Sequence, residues 1–264
     1  RGDDVLGVDD LNPYYDVRLK EARLQRLRAQ PRFRFQRLDI ADREAIAELG
    51  TANPGIERVV HLAAQAGVRH SLRDPFAYIS ANVLGHTVIL ELARRLRHLR
   101  HLVYASSSSV YGGNTALPFA ESDRVDTPLS LYAASKRADE LISYAYAHLF
   151  GLPLAGLRFF TVYGPWGRPD MAYYLFAERI MRGEPITVFD GGTLRRDFTY
   201  IDDIVAGILG SLDRPPESGP GVPPVRLLNI GNHRSETVAT LIGLLEAALE
   251  RRAVLRDAPR PAAD

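Results

Sequence analysis

Two side chains four residues apart, Tyr132 and Lys136, form the pair in this sequence best suited to moving a proton. On an α-helix that spacing puts both on one face, within reach of a shared ligand. A phenol donates and accepts hydrogen bonds, with an ordinary pKa of about 10. A neighbouring ammonium favours the phenolate and can lower that value by roughly 1–3 units, towards the range where a general acid or base works near neutrality. The bland alternative is a core tyrosine beside a solvated lysine. Composition favours the chemical reading. Lys and Arg total 33, yet only Lys20 and Lys136 are lysines. A lysine kept beside Tyr132 in a chain that otherwise uses arginine suggests a compact ammonium rather than a planar guanidinium.

Other residues could serve the same chemistry. Ser106 to Ser109 form a run of hydroxyls that is either a polar turn or a set of donors to a reacting oxygen and an anionic substituent. Asp9 is either a loop or capping carboxylate or an acceptor for the two ribose hydroxyls of an adenine dinucleotide. In the second role it repels a 2′-phosphate and favours NAD over NADP. The glycine fingerprint that goes with such an acid lies roughly 20 residues upstream. Only eight residues precede Asp9, and Gly112-Gly113 and Gly191-Gly192 have the wrong spacing to replace it. The seven His are scattered without a carboxylate cluster, so no metal site is expected. Arg195, Arg196 and Asp197 follow a Gly-rich turn and suit either phosphate binding or a solvated charge cluster.

The elements that must position these groups alternate. Strands are expected at 4–9, 33–38, within 57–64 (a strand and then a small-residue turn), 101–105 and 154–160, with helices at 16–29, 42–49, 75–97 and 131–150. That order predicts a parallel α/β sheet, whose ligands sit beyond the carboxyl ends of the strands. Asp9, Asp39, Leu62-Ala63-Ala64, the serine run and Phe160-Thr161 all fall there. From Thr161 to Asp203 the alternation gives way to a loop-rich region with one short helix near 172–181. Residues 214–224 read as a surface loop, 225–230 as a strand and 237–251 as an amphipathic helix. A cut near residue 160 would separate a larger domain, 1–160, from a smaller one, 161–264.

At 264 residues the chain is long enough for a substantial core. A net charge of +1 gives no general attraction to nucleic acid. With no Cys, disulfides, thiolate catalysis and Cys-ligated zinc are excluded. No apolar run of the length of a membrane span and no leader are evident, so a soluble cytoplasmic protein without a membrane partner is expected.

The segments Val8-Asp9-Asp10-Leu11-Asn12-Pro13-Tyr14-Tyr15-Asp16, His61 to Arg69, Ala105 to Gly112, Ser130 to Lys136, Arg158 to Met171 and Arg196 to Asp203 resemble an extended short-chain dehydrogenase/reductase. The resemblance is to the NAD-dependent epimerase/dehydratase family, and within it to the UDP-glucuronate 4-epimerase branch. It spans nearly the whole chain in the family's order. It implies a Rossmann-like doubly wound parallel sheet with a smaller C-terminal substrate-binding region, NAD as cofactor, a UDP-sugar substrate and a homodimer formed through helices 75–97 and 131–150. The implied reaction is 4-epimerisation of a UDP-uronic acid, UDP-glucuronate to UDP-galacturonate, through a 4-keto intermediate. The alternatives are a UDP-glucose 4-epimerase or another nucleotide-sugar epimerase/dehydratase, and an inactive nucleotide-sugar binding fragment.

By the same resemblance Tyr132 is the acid/base, and Lys136 binds the nicotinamide ribose. Ser107 stands at the catalytic Ser/Thr position, with Ser109 as the neighbouring hydroxyl. Asp9, Asp39, Ile40, Leu62, Ala63, Ala64, Asn82, Tyr132, Lys136 and Phe160 match cofactor positions. Ser108, Thr161, Arg168 and Arg196 are candidates for the substrate. A dehydratase of the family would carry an acidic pair after the catalytic Ser/Thr, and a decarboxylase a Glu. Ser108 and Ser109 stand there, which disfavours both. The family's first strand and Gly-x-x-Gly-x-x-Gly loop are missing, and members continue past the helix ending near Arg252. The resemblance therefore implies a chain trimmed at both ends.

Overall fold

The computed structural model describes residues 1–259. They divide into two compact units. The first takes in Arg1–Phe159 and Ala206–Asn229; the second takes in Phe160–Val205 and the residues from Ile230 onward. A single cut at 160 therefore misplaces residues 206–229. They return to the first unit because β9 (Val225–Ile230) adds a strand beside β5 (Leu154–Phe159).

The first unit holds two sheets. Parallel strands β1 (Val5–Asp9) and β2 (Phe33–Arg37) form one. The other has the order β3 (Arg58–His61), β4 (His101–Ser107), β5 and β9. Its β3–β4 and β4–β5 pairs are parallel, with His61 opposite Tyr104 and Ser107 opposite Phe159. Among the described residues no strand bridges β1 and β3, so the continuous doubly wound sheet is present in two pieces.

Helices cover these strands, and their starts follow from short polar side chains. Asp16 caps α1 (Val17–Arg28), Asp42 caps α2 (Arg43–Ala52) and Asp74, followed by Pro75, caps α3 (Pro75–Tyr78). The helix begun by α3 passes through a π-helical segment, Ile79–Leu84, into α4 (Gly85–Arg95). Ser130 caps α5 (Leu131–Phe150), which ends where Gly151 turns left-handed at φ 65°.

The stretch Pro75–Arg95 is long and apolar enough to cross a membrane by length and composition, with a mean hydropathy of 1.3 over its best window. The reading of no such run is corrected to that extent. Half of the window is buried in the protein. Val88, Ile89, Leu90 and Leu92 join Ile46, Leu49, Leu102 and Leu154 in the main core. This burial gives the apolar composition an internal cause.

The second unit is more regular than the loop-rich expectation. It contains β6 (Thr161–Tyr163), α6 (Ala172–Arg182), β7 (Pro185–Phe189), β8 (Arg195–Tyr200), the start of α7 (Ile201–Leu212), β10 (Ser235–Thr237), α8 (Val238–Leu249) and β11 (Val254–Ala258). β6 pairs parallel with β8, β10 antiparallel with β8, and β11 parallel with β7. Ile186, Val188 and Ile242 centre its core, with Phe176 and Val238 against them. Strands of three to six residues among Gly, Pro and Arg give little periodicity, so sequence reading passed over them. The last five residues of the expected second domain, 260–264, lie outside the described residues.

Candidate functional site

The carboxyl ends of the first unit's strands carry most of the candidates. Asp9 closes β1, where its Oδ1 accepts from Leu11 N at 2.7 Å and faces Lys20 Nζ at 3.5 Å. Asp39 follows β2, its Oδ1 accepting from Ala41 N at 2.8 Å. Ile40 is buried and lies against Gly85, where an added Cβ would sit 2.7 Å from its Cδ1. This close approach brings the β2 end down onto α4. Leu62, Ala63 and Ala64 leave β3, with Leu62 half exposed. Asp9 and Asp39 have the chemistry to accept from ribose and adenine groups, and the small Ala63 and Ala64 leave room for a ligand backbone.

The π-helical segment has a specific use. It presents Asn82, 1% exposed, whose Oδ1 accepts from Gln65 N at 2.7 Å. Its Nδ2 donates to Gln65 O at 3.1 Å and to Ser135 Oγ at 2.9 Å. One side chain thus ties the loop after β3 to α5. Such π turns often occur at functional positions. Asn82→Ala leaves the Gln65 N–H buried without its acceptor, and a loss of about 1–3 kcal/mol in chemical denaturation is expected. An unchanged denaturation midpoint would show the tie to be dispensable.

Along α5, Tyr132 and Lys136 stand one turn apart. The Tyr132 ring meets Tyr78 edge-on with centroids 6.1 Å apart, and Tyr78 Oη donates to the carbonyl of Ala66 at 2.9 Å. Lys136 is 3% exposed. Its Nζ donates to Ala105 O on β4 at 2.8 Å and to Asp139 Oδ2 at 3.0 Å. The ammonium therefore joins the tyrosine-bearing helix to the strand that ends in the serine run. Burial raises the Asp139 carboxyl to about 6, against the opposing pull of Lys136.

The four serines separate by partner. Ser106 Oγ donates to Glu140 Oε1 at 2.7 Å and is structural. Ser107 Oγ accepts from Ser109 N at 3.2 Å, capping the short 3-10 turn Ser108–Tyr111. Ser107 is the last residue of β4, which puts its hydroxyl at the strand end; Ser108 and Ser109 are partly exposed beyond it. At the end of that turn Gly112 has φ 54°, and a Cβ there would meet Thr127 O at 2.2 Å, so only glycine fits.

Behind the helix lies a polar cluster that the sequence reading did not single out. His61 and His86 stack at 5.3 Å, and His86 Nε2 contacts Ser143 Oγ at 2.8 Å. Burial, with the Lys136 charge, brings His61 down to about 3, and burial holds His86 well below the usual imidazole range. Arg158, 1% exposed, pairs with Glu140 through Nε–Oε1 at 2.8 Å and Nη2–Oε2 at 2.9 Å. The signal available in sequence was a pair of adjacent acids, Asp139 and Glu140, on a helix whose buried face is otherwise Lys136 and the small residues Ala133, Ser135, Ser143 and Ala147.

The other candidates belong to the second unit. Phe160 precedes β6, and its ring lies against Gly231. Thr161 opens β6 opposite Phe198. Arg168 makes a two-pronged pair with Asp170, Nε–Oδ1 at 3.0 Å and Nη2–Oδ2 at 3.1 Å, which braces its loop. Arg196 lies on β8 opposite Glu236. Among the described residues no group of three His, Cys, Asp or Glu side chains could hold a metal.

Comparison with known proteins gives a consistent set. The family described as NAD dependent epimerase/dehydratase matches residues 1–231. UDP-glucuronate 4-epimerase 1 of Arabidopsis thaliana is 47% identical over 262 residues, taking in 96% of this chain and 61% of that protein. Protein CapI of Staphylococcus aureus is 42% identical over 264 residues, covering 96% of this chain and 78% of its own. The crystal structure of a Bacillus cereus UDP-glucuronic acid 4-epimerase with UDP-glucuronic acid and NAD superposes with a TM-score of 0.85 at 32% identity, over 97% of this chain and 78% of that one. The chain spans about three fifths of the length of the plant relative.

Proposed function

Because the chain belongs to the NAD-dependent epimerase/dehydratase family, we propose that the complete protein interconverts UDP-glucuronate and UDP-galacturonate by epimerisation at C4, with NAD as its cofactor. The observation that carries this reading is the Lys136 ammonium. It ties Tyr132's helix to the carbonyl of Ala105, two residues before the Ser107 strand end. The likeness to relatives named as UDP-glucuronate 4-epimerases supports the choice of sugar.

The residues present fit the cofactor in part. Asp9 and Asp39 supply acceptors for its adenosine half, and Lys136 a donor for its nicotinamide ribose. The glycine-rich turn that would receive its pyrophosphate is not in the sequence. Held by these residues, NAD would supply the hydride acceptor, and then the hydride donor, for the sugar C4. Tyr132 takes the proton from O4 and later gives it back. Ser107, with Ser109 beside it, donates a hydrogen bond to O4 as the carbonyl forms. Asn82 holds the loop after β3 so that Leu62 to Ala64 stay at the strand end.

Oxidation at C4 puts a ketone β to the C5 carboxylate, and such a β-keto acid loses carbon dioxide when the breaking bond aligns with the carbonyl π-system. The enzyme must therefore grip the carboxylate. Ser108, Thr161 and Arg168 are assigned that task, and Arg196 the substrate phosphates. Arg168 pairs with Asp170, so substrate binding would exchange one carboxylate partner for another. Arg168→His or Thr161→Ala should raise KM for UDP-glucuronate several-fold and release some UDP-pentose. If KM, carbon dioxide release and preference over UDP-glucose all stay unchanged, both residues are structural.

The decisive experiment is incubation of the complete protein with UDP-glucuronate and NAD, the product sugar being identified by NMR. UDP-galacturonate is expected. Turnover of UDP-glucose alone would move the assignment to the UDP-glucose 4-epimerases, and no turnover would leave a binding module. We place the enzyme in the cytoplasm as a homodimer. Exposed Phe76 and Ile79 on the long helix, and Leu141 and Tyr144 on α5, supply an apolar face for a second copy. A monomer mass by light scattering would remove that assembly.

A further inference from the structure

We propose that Asp139 is a positioning residue: it is the counter-ion that holds the Lys136 ammonium at the site, so that the charge on this buried carboxyl sets how Lys136 is presented to a ligand. The inference deepens the epimerase reading at its lysine. Asp139 is 0% exposed and lies on the buried face of α5, one turn past Lys136. An isolated carboxylate is costly in such a place, so its pairing needs a reason. Its Oδ2 is 3.0 Å from Lys136 Nζ, while its Oδ1 is buried without a hydrogen-bond partner. The ammonium has three donors. Asp139 and the Ala105 carbonyl take two in fixed directions, leaving one N–H for a ligand hydroxyl.

The neighbours leave Asp139 as the variable member. On its own helix are Lys136 and Glu140; Glu140 is held by Arg158 of β5 and by Arg137. From β3 comes His61 and from α4 His86, both kept neutral by burial. From β4 comes Tyr104, whose phenol burial raises. Asp139 alone among the displaced groups of this cluster falls between pH 5 and 7, at about 6. Above that pH the ammonium has an anionic partner. As pH falls through it the carboxyl takes a proton, the ion pair is lost, and Lys136 keeps only the Ala105 carbonyl.

The sequence offers a clean readout, because the chain has two lysines. Labelling lysine with 13Cε and 15Nζ gives two signals, assigned with Lys20→Arg. The Lys136 signal should follow one titration step near pH 6, and Asp139→Asn should abolish it. A Lys136 signal flat from pH 5 to 8 in the unsubstituted chain would overturn the proposal, whether or not the variant folds. So would a step that survives Asp139→Asn in a variant with unchanged circular dichroism. A second arm measures NAD binding to the complete protein by calorimetry. The dissociation constant should rise by about tenfold between pH 7.5 and 5, the scale of one lost hydrogen bond, and the Asp139→Asn protein should lack that dependence. Binding with the same pH dependence in both proteins overturns the proposal and leaves the epimerase reading intact. A Lys136 step without any NAD binding supports the ion pair and removes the epimerase reading.

Discussion

Tyr132→Phe in the complete protein is expected to lower kcat by about 10²–10⁴-fold, the usual contribution of a positioned acid/base. That is roughly 2.7–5.4 kcal/mol of barrier. The substitution removes one oxygen and keeps the ring that meets Tyr78 edge-on, so folding and NAD affinity should be nearly unaffected. A split of this kind, with kcat lost and binding kept, marks a group needed in the transition state. Near-normal kcat would remove Tyr132 from the chemistry. Lys136→Arg should also fail to support turnover. A planar guanidinium cannot reproduce the compact donor that meets both Ala105 O and Asp139 Oδ2.

The largest expected effect on stability comes from Glu140→Ala. The Glu140 carboxylate receives Arg158 through two bonds, Arg137 at 3.0 Å and Ser106 Oγ at 2.7 Å. Without it the Arg158 guanidinium remains buried with Tyr111 Oη at 3.0 Å as its nearest acceptor. Breaking a buried pair from one side costs about 3–5 kcal/mol. At roughly 2–4 °C per kcal/mol for a unit of this size, the melting transition should fall by about 6–20 °C. The double variant Glu140→Leu with Arg158→Met should recover most of the loss, since the uncompensated charge goes too. If the single and double variants melt alike, the penalty is one of packing and the ion pair contributes little.

Much of the first unit was legible in the sequence because its elements are long and regular. The helix at 131–150 has a serine cap and a terminal glycine, and its structure matches residue for residue. The strand expected at 101–105 is an apolar run bounded by polar residues; it continues two residues further, to Ser107, so the first two serines lie within it. Three features escaped for physical reasons. The strands of the second unit are too short to express a period of two. Residues 206–229 join the first unit through a strand pairing that no local pattern encodes. Asp139 stands out in the sequence only as one of two adjacent acids on a helix, and burial beside Lys136 is what gives it a distinct meaning. The roles of Ser107 and Ser106 also needed coordinates, because four identical side chains differ only in what they touch.

The π-helical segment Ile79–Leu84 carries a consequence for how this helix tolerates length changes. A π turn contains one residue more than the α turn it replaces, and each α-helical residue advances the azimuth by about 100°. Residues 75–78 and 85–95 are therefore out of phase with a single uninterrupted α-helix. Deleting Ser80 or Ala81 would improve local helical geometry while swinging everything on one side of the deletion around the axis. The Asn82 amide would lose its alignment with Gln65, or Tyr78 would lose its edge-on seat against Tyr132. The apparent irregularity works as a phase-setting insertion, and a shorter, straighter helix here would be the defective one.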